Sequence, residues 1–337
     1  MIKKYLIKIK EGQNLTAEEA GELIELMSTG EVLPAQIVDL LVSLNDKEVN
    51  VEEISGFAQR MREKALKINT QGLENIVDSC GTGGDKTNTF NISTASAILV
   101  SSTGVNVAKH SNFGFTSKCG SSNVLQSLGI ELLTCSRAVE ENLKGKNIAF
   151  IHAPYFHKCT AHVNTVRKEL GIRTVFNLLG PLTNPAFPTG QVIGVPRKEL
   201  CPKIAEALKN LGCKKALVVN GLNPVMDEIS ICGKTFISRL DNGKIDNFEI
   251  HPEDYGIKQA KLEDIQGDTP EVNAKIIEDI FNGKIKGAKL DIVLLNSAAL
   301  LWVGNVVNSI EAGLNTATDI IQSGRAANKL NSLRVKS

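Results

Sequence analysis

A glycine-rich stretch with many hydroxyl and amide side chains, residues 78–94, carries the strongest chemical signal in the sequence. It follows the apolar residues 76–77, which are typical of a buried strand. Its three glycines permit backbone angles and a close approach that a Cβ would prevent. The apolar run 95–100 predicts a helix, so residues 91–94 would lie at a helix N-terminus, where free amides and the helix dipole favour phosphate. The stretch therefore predicts a phosphate cradle rather than a plain strand-to-helix turn.

Two common nucleotide-binding loops are disfavoured by the spacing of this stretch. A Walker loop requires a glycine directly before its Lys-Thr pair, and this sequence has Asp85 there. The dinucleotide fingerprint G-x-G-x-x-G also fails, because Lys86 stands where the third glycine is required. The cradle therefore belongs to another class of phosphate-binding protein.

A second polar segment, residues 109–122, follows the next predicted strand. It contains two lysines and five hydroxyl side chains. Because it lies one strand–helix unit after the cradle, both loops could leave the same edge of a parallel sheet. A solvated surface loop is the alternative, and the recurrence of two such loops favours a shared site.

The adjacent carboxylates Asp227 and Glu228 follow a strand predicted over residues 216–219. Such a pair is usually solvated surface charge. It becomes a candidate metal site if a polyanion lies nearby, because Mg²⁺ is typically held by one or two carboxylates together with substrate phosphates. Arg167, in a predicted helix, is by default a surface cation.

Helices that would support these loops are predicted in residues 1–70. Thr16 followed by Glu19 forms a capping box, and Asn50 is a second N-cap. Apolar residues recur on one face of each predicted helix, and no residue in this part suggests chemistry. We therefore predict a small all-α N-terminal domain.

From residue 71 to residue 337 the pattern changes to alternating strands and helices. This alternation indicates an α/β domain with a largely parallel sheet. The turn 241–243, Asp-Asn-Gly, predicts a late hairpin. The apolar run over residues 291–307 predicts a buried helix, because polar residues interrupt it and it is shorter than a membrane span.

The composition narrows the class of protein. The 337 residues are 42% hydrophobic with a net charge of +1, which allows a large core and lacks the basic excess of a nucleic-acid-binding protein. The seven cysteines include no C-x-x-C pair, and no secretory signal is recognisable. We therefore expect a cytoplasmic protein with reduced thiols, no nucleic-acid partner and no membrane association.

Taken in order, these motifs resemble the anthranilate phosphoribosyltransferase family of tryptophan biosynthesis. The resemblance covers D-x-x-G-T-G-G-D from Asp78, N-T-F-N-I-S-T-A-S-A from Asn88, A-K-H-x-N from Ala108 and S-x-x-V-L-x-x-L-G-I from Ser121. It also covers the run 166–185 and the acidic pair. Within the second loop, Phe113 stands where the family's motif has arginine, and Ser111, Thr116 and Cys119 also differ from it.

The resemblance implies a small helical domain joined to a large α/β domain, an architecture shared with nucleoside phosphorylases. Helices near residues 163–182 would return to the small domain. The cleft would hold 5-phosphoribosyl 1-diphosphate (PRPP) and Mg²⁺, in a homodimer. The family's PRPP-binding positions correspond to Gly81, Gly84, Asp85, Thr89, Asn91, Ile92, Ser93, Thr94, Lys109, Ser117 and Ser121, its anthranilate positions to Gly81, Asn112 and Arg167, and its metal positions to Ser93, Asp227 and Glu228.

The implied reaction transfers the phosphoribosyl group of PRPP to the amine of anthranilate. This amine is already a nucleophile, so we expect no catalytic acid or base, and catalysis by positioning and electrostatics. Two alternatives remain at this point. One is a same-fold phosphoribosyltransferase or nucleoside phosphorylase with a different aromatic acceptor, and the other is a non-catalytic PRPP-binding relative.

Overall fold

A group of helices opens the chain in the computed structural model, which describes residues 2–114 and 118–335. The predicted caps of two of them are confirmed. Thr16 accepts a hydrogen bond from the amide of Glu19, and Asn50 accepts one from the amide of Glu53. The first helix has no such cap in the sequence and was not predicted. The helices are α1 (Ile2–Lys10), α2 (Ala17–Ser28), α3 (Pro34–Lys47) and α4 (Val51–Lys64).

Glu53 ties these helices together from a fully buried position. One carboxylate oxygen accepts the amide of Leu15 at 2.9 Å, and the other accepts Nζ of Lys47 at 2.8 Å. The Lys47 side chain is itself only 5% exposed. Buried ion pairs are tolerated when further hydrogen bonds satisfy both partners, as they do here.

A mixed sheet forms the centre of the rest of the chain, and the predicted α/β class is confirmed. The strands are β1 (Val77–Ser79), β2 (Val107–Ser111), β3 (Ile148–His152), β4 (Gly190–Gly194), β5 (Lys215–Leu222), β6 (Val225–Met226), β7 (Thr235–Asp241) and β8 (Lys244–Ile250). Their order in the sheet is β3-β2-β1-β4-β5-β7-β8, with β6 paired to β5. The strands from β3 to β5 run parallel, whereas β7 and β8 are antiparallel additions joined by the predicted hairpin.

Two features of the sheet differ from the sequence prediction. Strand β4 was missed, although it lies between β1 and β5 and pairs Val77 with Gly190. It is short and bounded by glycines, so it lacks the apolar run of a typical strand. Strand β2 extends to Ser111, whereas a polar loop was predicted from Lys109. That boundary was wrong because a buried strand whose residues are polar resembles a loop in sequence.

Helices surround the sheet and complete the core. They are α5 (Ile92–Ser101), α6 (Ser121–Ser127), α7 (Ser136–Lys146), α8 (Ala153–Phe156), α9 (Ala161–Leu170), α10 (Val175–Leu182), α11 (Leu200–Asn210), α12 (Pro270–Phe281), α13 (Ala288–Val303), α14 (Ile310–Gln322) and α15 (Arg325–Leu333). The long apolar helix α13 is buried, as predicted, and packs against α5 and α14. Helices α14 and α15 follow it and are separated by Gly324, which is in the left-handed conformation.

One apolar core joins the N-terminal helices to later parts of the chain. Helix α9 packs against α2 and α3, and α10 packs against α3 and α4. The same core continues through α11 to Val218 of β5. The division of the chain at residue 70 stays a prediction. Within residues 2–114 and 118–335, no helix is both long enough and apolar enough to cross a bilayer.

Candidate active site

The glycine-rich loop leaves the carboxyl end of β1 and is held to β4 by main-chain hydrogen bonds. The amide of Cys80 donates to the carbonyl of Val192 at 3.1 Å, and the amide of Thr82 donates to Gly194 at 2.9 Å. These bonds continue the parallel pairing beyond the end of β1. The base of the loop is therefore fixed by a strand that comes much later in the chain.

Beyond its base, the loop turns sharply through left-handed backbone angles. Gly83 and Gly84 have φ of 68° and 80°, and Lys86 and Asn88 adopt 63° and 53°. Such angles are uncommon for residues other than glycine, and they cluster at functional sites. A Cβ on Gly84 would overlap Nη1 of Arg173. The close approach that the glycines predicted is thus present at Gly84.

Lys109 supplies a buried positive charge beneath the loop. It lies in β2 with 1% of its surface exposed, and its Nζ donates to the carbonyl of Ser79 and, at 3.2 Å, to Oγ of Ser93. Ser93 is in the first turn of α5, as the sequence predicted. The ammonium group is therefore positioned between the end of β1 and the N-terminus of α5.

The other side chains of the cradle are partly used within the protein. Asn91 precedes α5, and its Oδ1 accepts from Nδ2 of Asn273 at 3.1 Å. Ile92 is buried, and its amide already donates to the carbonyl of Phe90. Thr94 is fully buried and its hydroxyl has no partner among the described residues. Thr89 is partly exposed on the bridge that it forms with Gln266.

The second loop is closed by a reciprocal contact between Asn112 and Ser121. The amide of Asn112 donates to Oγ of Ser121 at 3.1 Å, and that hydroxyl donates to the Asn112 carbonyl at 3.2 Å. Phe113 packs edge-to-face against His152, with ring centroids 4.7 Å apart. Ser117, a predicted PRPP-binding residue, lies outside the described residues.

The acidic pair meets the glycine loop directly. Oδ2 of Asp227 accepts the amide of Gly83 at 2.7 Å, and the amide of Asp227 donates to Asp85 at 3.3 Å. Burial raises the pKa of Asp227, and the neighbouring Asp85 raises it further. Burial likewise raises the pKa of Glu228, followed by the charge of Asp227, while Lys109 opposes the shift. The carboxylates are therefore held close together without enough positive charge to compensate them.

A cavity of about 10 Å³ lies beside this pair and is lined by Ser93, Asp227 and Glu228 among others. This is about the space that one water molecule or ion requires. No group of three or more His, Cys, Asp or Glu side chains that could hold a metal occurs in the part of the chain that the structure describes. The residues present nevertheless fit Mg²⁺, which commonly takes only one or two carboxylates and obtains its other ligands from water and substrate.

Arg167 lies in α9, and its contacts are with residues of α9 and α10. Its Nη1 and Nη2 donate to Oδ1 of Asn164 and Asn177 at 3.0 and 3.3 Å, and its guanidinium lies over the ring of Phe176. Its Nε is buried without a partner among the described residues. Burial lowers the pKa of Arg167 to about 10. Arg167 is thus partly buried rather than a fully solvated surface cation.

Two buried histidines, which the sequence did not single out, lie between the sheet and α10. Nδ1 of His110 lies 2.9 Å from the carbonyl of Gly180, so it carries the proton and donates. Its Nε2 must then accept from Nε2 of His157, 3.3 Å away. Burial lowers the pKa of His110 to about 4 and that of His157 to about 3. Both rings are therefore neutral, and the hydrogen bond to Gly180 determines which nitrogen of each ring carries the proton.

Family models match nearly the whole chain. The model described as "Glycosyl transferase family, a/b domain" matches residues 73–327, and the "helical bundle domain" of the same family matches residues 3–65. Two similar relatives are the anthranilate phosphoribosyltransferases of Petrotoga mobilis and Acetivibrio thermocellus. They are 48% and 47% identical to this chain, in each case over 98% of this chain and 95% of the relative.

This chain belongs to the anthranilate phosphoribosyltransferase family. The sequence-based assignment to that family, and to the glycosyltransferase enzymes, is confirmed. Solved structures agree. The anthranilate phosphoribosyltransferase of Thermus thermophilus has a TM-score of 0.90 at 36% identity, with 97% of each chain covered.

A second structure of an anthranilate phosphoribosyltransferase, from Saccharomyces cerevisiae, contains ligands. It was solved in complex with PRPP and Mg, and it has a TM-score of 0.87 at 26% identity, covering 98% of this chain and 96% of that one. The same yeast enzyme was also solved with 4-fluoroanthranilate.

Proposed function

We propose that this chain transfers the phosphoribosyl group of PRPP to the amine of anthranilate, a step of tryptophan biosynthesis. The products are N-(5-phosphoribosyl)anthranilate and diphosphate. The observation that carries the proposal is the hydrogen bond between Asp227 and Gly83, which joins the acidic pair to the glycine loop in one site. The yeast relative, whose structure contains PRPP and Mg, supports it.

The PRPP site is proposed at the edge of the sheet where β1 and β2 end. Lys109 supplies a buried charge there, and Ser93 lies next to its ammonium group. The tight turn at Gly84 allows the backbone to approach a phosphate closely. The full proposed set comprises Gly81, Gly84, Asp85, Thr89, Asn91, Ile92, Ser93, Thr94, Lys109, Ser117 and Ser121.

Mg²⁺ is proposed to bind next to Ser93, Asp227 and Glu228, which line the small cavity described above. When bound, the ion would neutralise negative charge on the diphosphate. The chain's own carboxylates would lose their mutual repulsion at the same time. Burial raises the pKa values of both carboxylates, and the neighbouring negative charges raise them further, so a nearby cation would favour their charged forms.

Anthranilate is proposed to bind near Gly81, Asn112 and Arg167. A guanidinium can bind a carboxylate in a forked geometry with two parallel hydrogen bonds. Arg167 has a buried Nε without a partner among the described residues, in agreement with such a role. Gly81 is tightly placed, because a Cβ there would lie 2.5 Å from Oδ2 of Asp227.

In the proposed reaction the amine nitrogen of anthranilate attacks C1 of the ribose. The bond from C1 to the diphosphate oxygen breaks, and its electron pair leaves with the diphosphate. The nitrogen then loses one proton to solvent. The residues of the chain hold the two substrates in line and stabilise the negative charge that develops on the leaving group, so no acid or base is required.

We further propose that the chain acts as a homodimer in the cytoplasm. Two large apolar side chains at the N-terminal helices, Ile7 and Leu33, are 58% and 64% exposed, and a partner subunit could cover them. Light scattering should then give a mass of twice the 36.4 kDa chain. A monomer at micromolar concentration would contradict the dimer.

The activity test follows the fluorescence of anthranilate with purified protein. Fluorescence should decline only when PRPP and Mg²⁺ are both present, and diphosphate should appear in equal amount. Absence of turnover with anthranilate, combined with turnover of another aromatic amine, would replace the acceptor but keep the reaction class. Absence of PRPP binding would overturn the proposed function.

A further inference from the structure

Arg173 connects the helical bundle with the glycine loop. It lies in the short segment between α9 and α10. Its carbonyl accepts a hydrogen bond from Nδ2 of Asn45 in α3 at 2.5 Å, which fixes its backbone. Its side chain points the other way, and Nη1 donates to the carbonyl of Gly83 at 2.6 Å. The guanidinium therefore reaches the glycine loop from a segment whose backbone is bound to α3 of the helical bundle.

The guanidinium rests directly on the glycine loop and is only partly used there. A Cβ on Gly84 would overlap Nη1, so the absence of a side chain at Gly84 is what makes room for Arg173. Nη2 of Arg173 is buried and has no partner among the described residues. Buried donors are almost always hydrogen-bonded, so Nη2 is available to an acceptor that enters beside the loop.

The charges around Arg173 indicate what that ligand is. Burial lowers the pKa of Arg173, while the carboxylates of Asp227 and Asp85 oppose that shift, so the guanidinium shares a site with them. The ammonium of Lys109 is already engaged by Ser79 and Ser93. A diphosphate next to the acidic pair would need a further cation with free donors, and Arg173 offers one.

We propose that Arg173 binds the diphosphate of PRPP, an inference that rests on the phosphoribosyl transfer proposed above. The guanidinium contacts the carbonyl of Gly83 and offsets the charge of Asp227. With PRPP bound, its free donors bind the diphosphate oxygens. As the C1–O bond breaks and its electrons pass to the diphosphate, these hydrogen bonds strengthen, because they then join a cation to a more negative oxygen.

Calorimetry with inorganic diphosphate and Mg²⁺ tests this role without turnover. Arg173→Gln removes the charge and leaves a shorter polar side chain, and Arg173→Lys keeps the charge but loses the fork. In Arg173→Gln, we expect diphosphate and PRPP to bind about tenfold to a hundredfold more weakly. Arg173→Lys should recover part of that loss. Ribose 5-phosphate, which lacks the diphosphate, should bind as to the wild type, and the KM for anthranilate should change by less than about twofold.

Arg197→Ala is the matched control. Arg197 is a second arginine near Arg173, but it pairs with Glu48 at 3.4 Å rather than with the glycine loop. Diphosphate binding should survive this change. Equal losses in the Arg197 and Arg173 variants, equal losses for ribose 5-phosphate and diphosphate, or unchanged diphosphate binding in Arg173→Gln would each overturn the proposal. Failure of the wild type to bind PRPP would instead overturn the proposed function and this inference with it.

Discussion

Oδ2 of Asp227 accepts the backbone amide of Gly83 at 2.7 Å, although the two residues are 144 positions apart in the chain. This bond connects two features that look unrelated in the sequence. It also orients the carboxylate of Asp227 toward the cradle. A solvated pair of surface carboxylates would have no fixed orientation. The acidic pair is therefore part of the glycine-loop site.

Replacing Asp227 by Asn and Glu228 by Gln should abolish most activity but keep the fold. The amide side chains preserve the shape of the carboxylates. Burial raises the pKa values of Asp227 and Glu228, which means that their charged forms are costly to bury, so removing the two charges should not lower the stability of the fold. Turnover should drop by orders of magnitude, and the Mg²⁺ concentration for half-maximal rate should rise. Steady-state kinetics across a magnesium titration measures both.

The exposed pair Glu253 and Asp254 provides the control, with the substitutions Glu253→Gln and Asp254→Asn. This variant should have wild-type kinetics. Wild-type turnover and an unchanged magnesium requirement in the Asp227 and Glu228 variant would refute the metal assignment.

Arg167→Ala should separate the two substrates. If the guanidinium binds the anthranilate carboxylate, its loss removes a charge-assisted bond worth about 1.5–3 kcal/mol. The KM for anthranilate should then rise about tenfold to a hundredfold, and PRPP affinity should stay nearly unchanged. Arg137→Ala on the surface of α7, where the side chain is 88% exposed, should change neither value. Equal damage to both substrates would place Arg167 in the phosphate site or in the structure.

His157 should make the protein less stable in acid. The pKa of His157 is about 3 in the folded protein and 6.5 for an ordinary histidine, so the unfolded chain takes up a proton below pH 6.5 that the folded chain does not. The stability contributed by the neutral ring is complete above pH 6.5 and is lost as the pH falls toward 3, by roughly 2 kcal/mol at pH 5. His157→Gln should lose correspondingly less stability between about pH 7 and pH 5 in urea titrations. His162→Gln, at an exposed position, should retain the wild-type slope.

Glu53→Ala should destabilise the helical bundle strongly. It removes the acceptor of the Leu15 amide and leaves the buried ammonium group of Lys47 without its ion-pair partner. Breaking a buried ion pair in this way costs about 3–5 kcal/mol. The free energy of unfolding in denaturant measures the loss, and Glu52→Ala at the exposed neighbouring position should cost less than about 1 kcal/mol. Similar values for both variants would contradict the role given to Glu53.

Local signals in the sequence were enough to predict much of the fold. The caps at Thr16 and Asn50 start their helices because one side chain and one amide decide the geometry. The placement of residues 91–94 at a helix N-terminus follows from another local signal, the apolar run 95–100. The hairpin at residues 235–250 also follows from its turn residues.

What the sequence could not predict depends on distant partners. Strand β4 has no apolar run, and it exists because β1 and β5 pair with it on either side. No motif in the sequence near Arg173 indicates a function, because its guanidinium contacts the glycine loop at Gly84 only in the folded chain. His110 and His157 are ordinary in sequence, and the burial that keeps them neutral comes from packing in the folded chain.

Strand β4 comes late in the chain, so the parts of the site are synthesised in a fixed order. A ribosome adds roughly 5–20 residues per second, so the 144 positions from Gly83 to Asp227 take roughly 7–30 seconds to translate. During that interval the glycine loop has been made while Asp227 is still to come, and the strand that fixes the loop's base is made only part-way through. A nascent chain therefore carries the glycines before β4 can fix the base of the loop, and the site is complete only after Asp227 and Glu228 have been made.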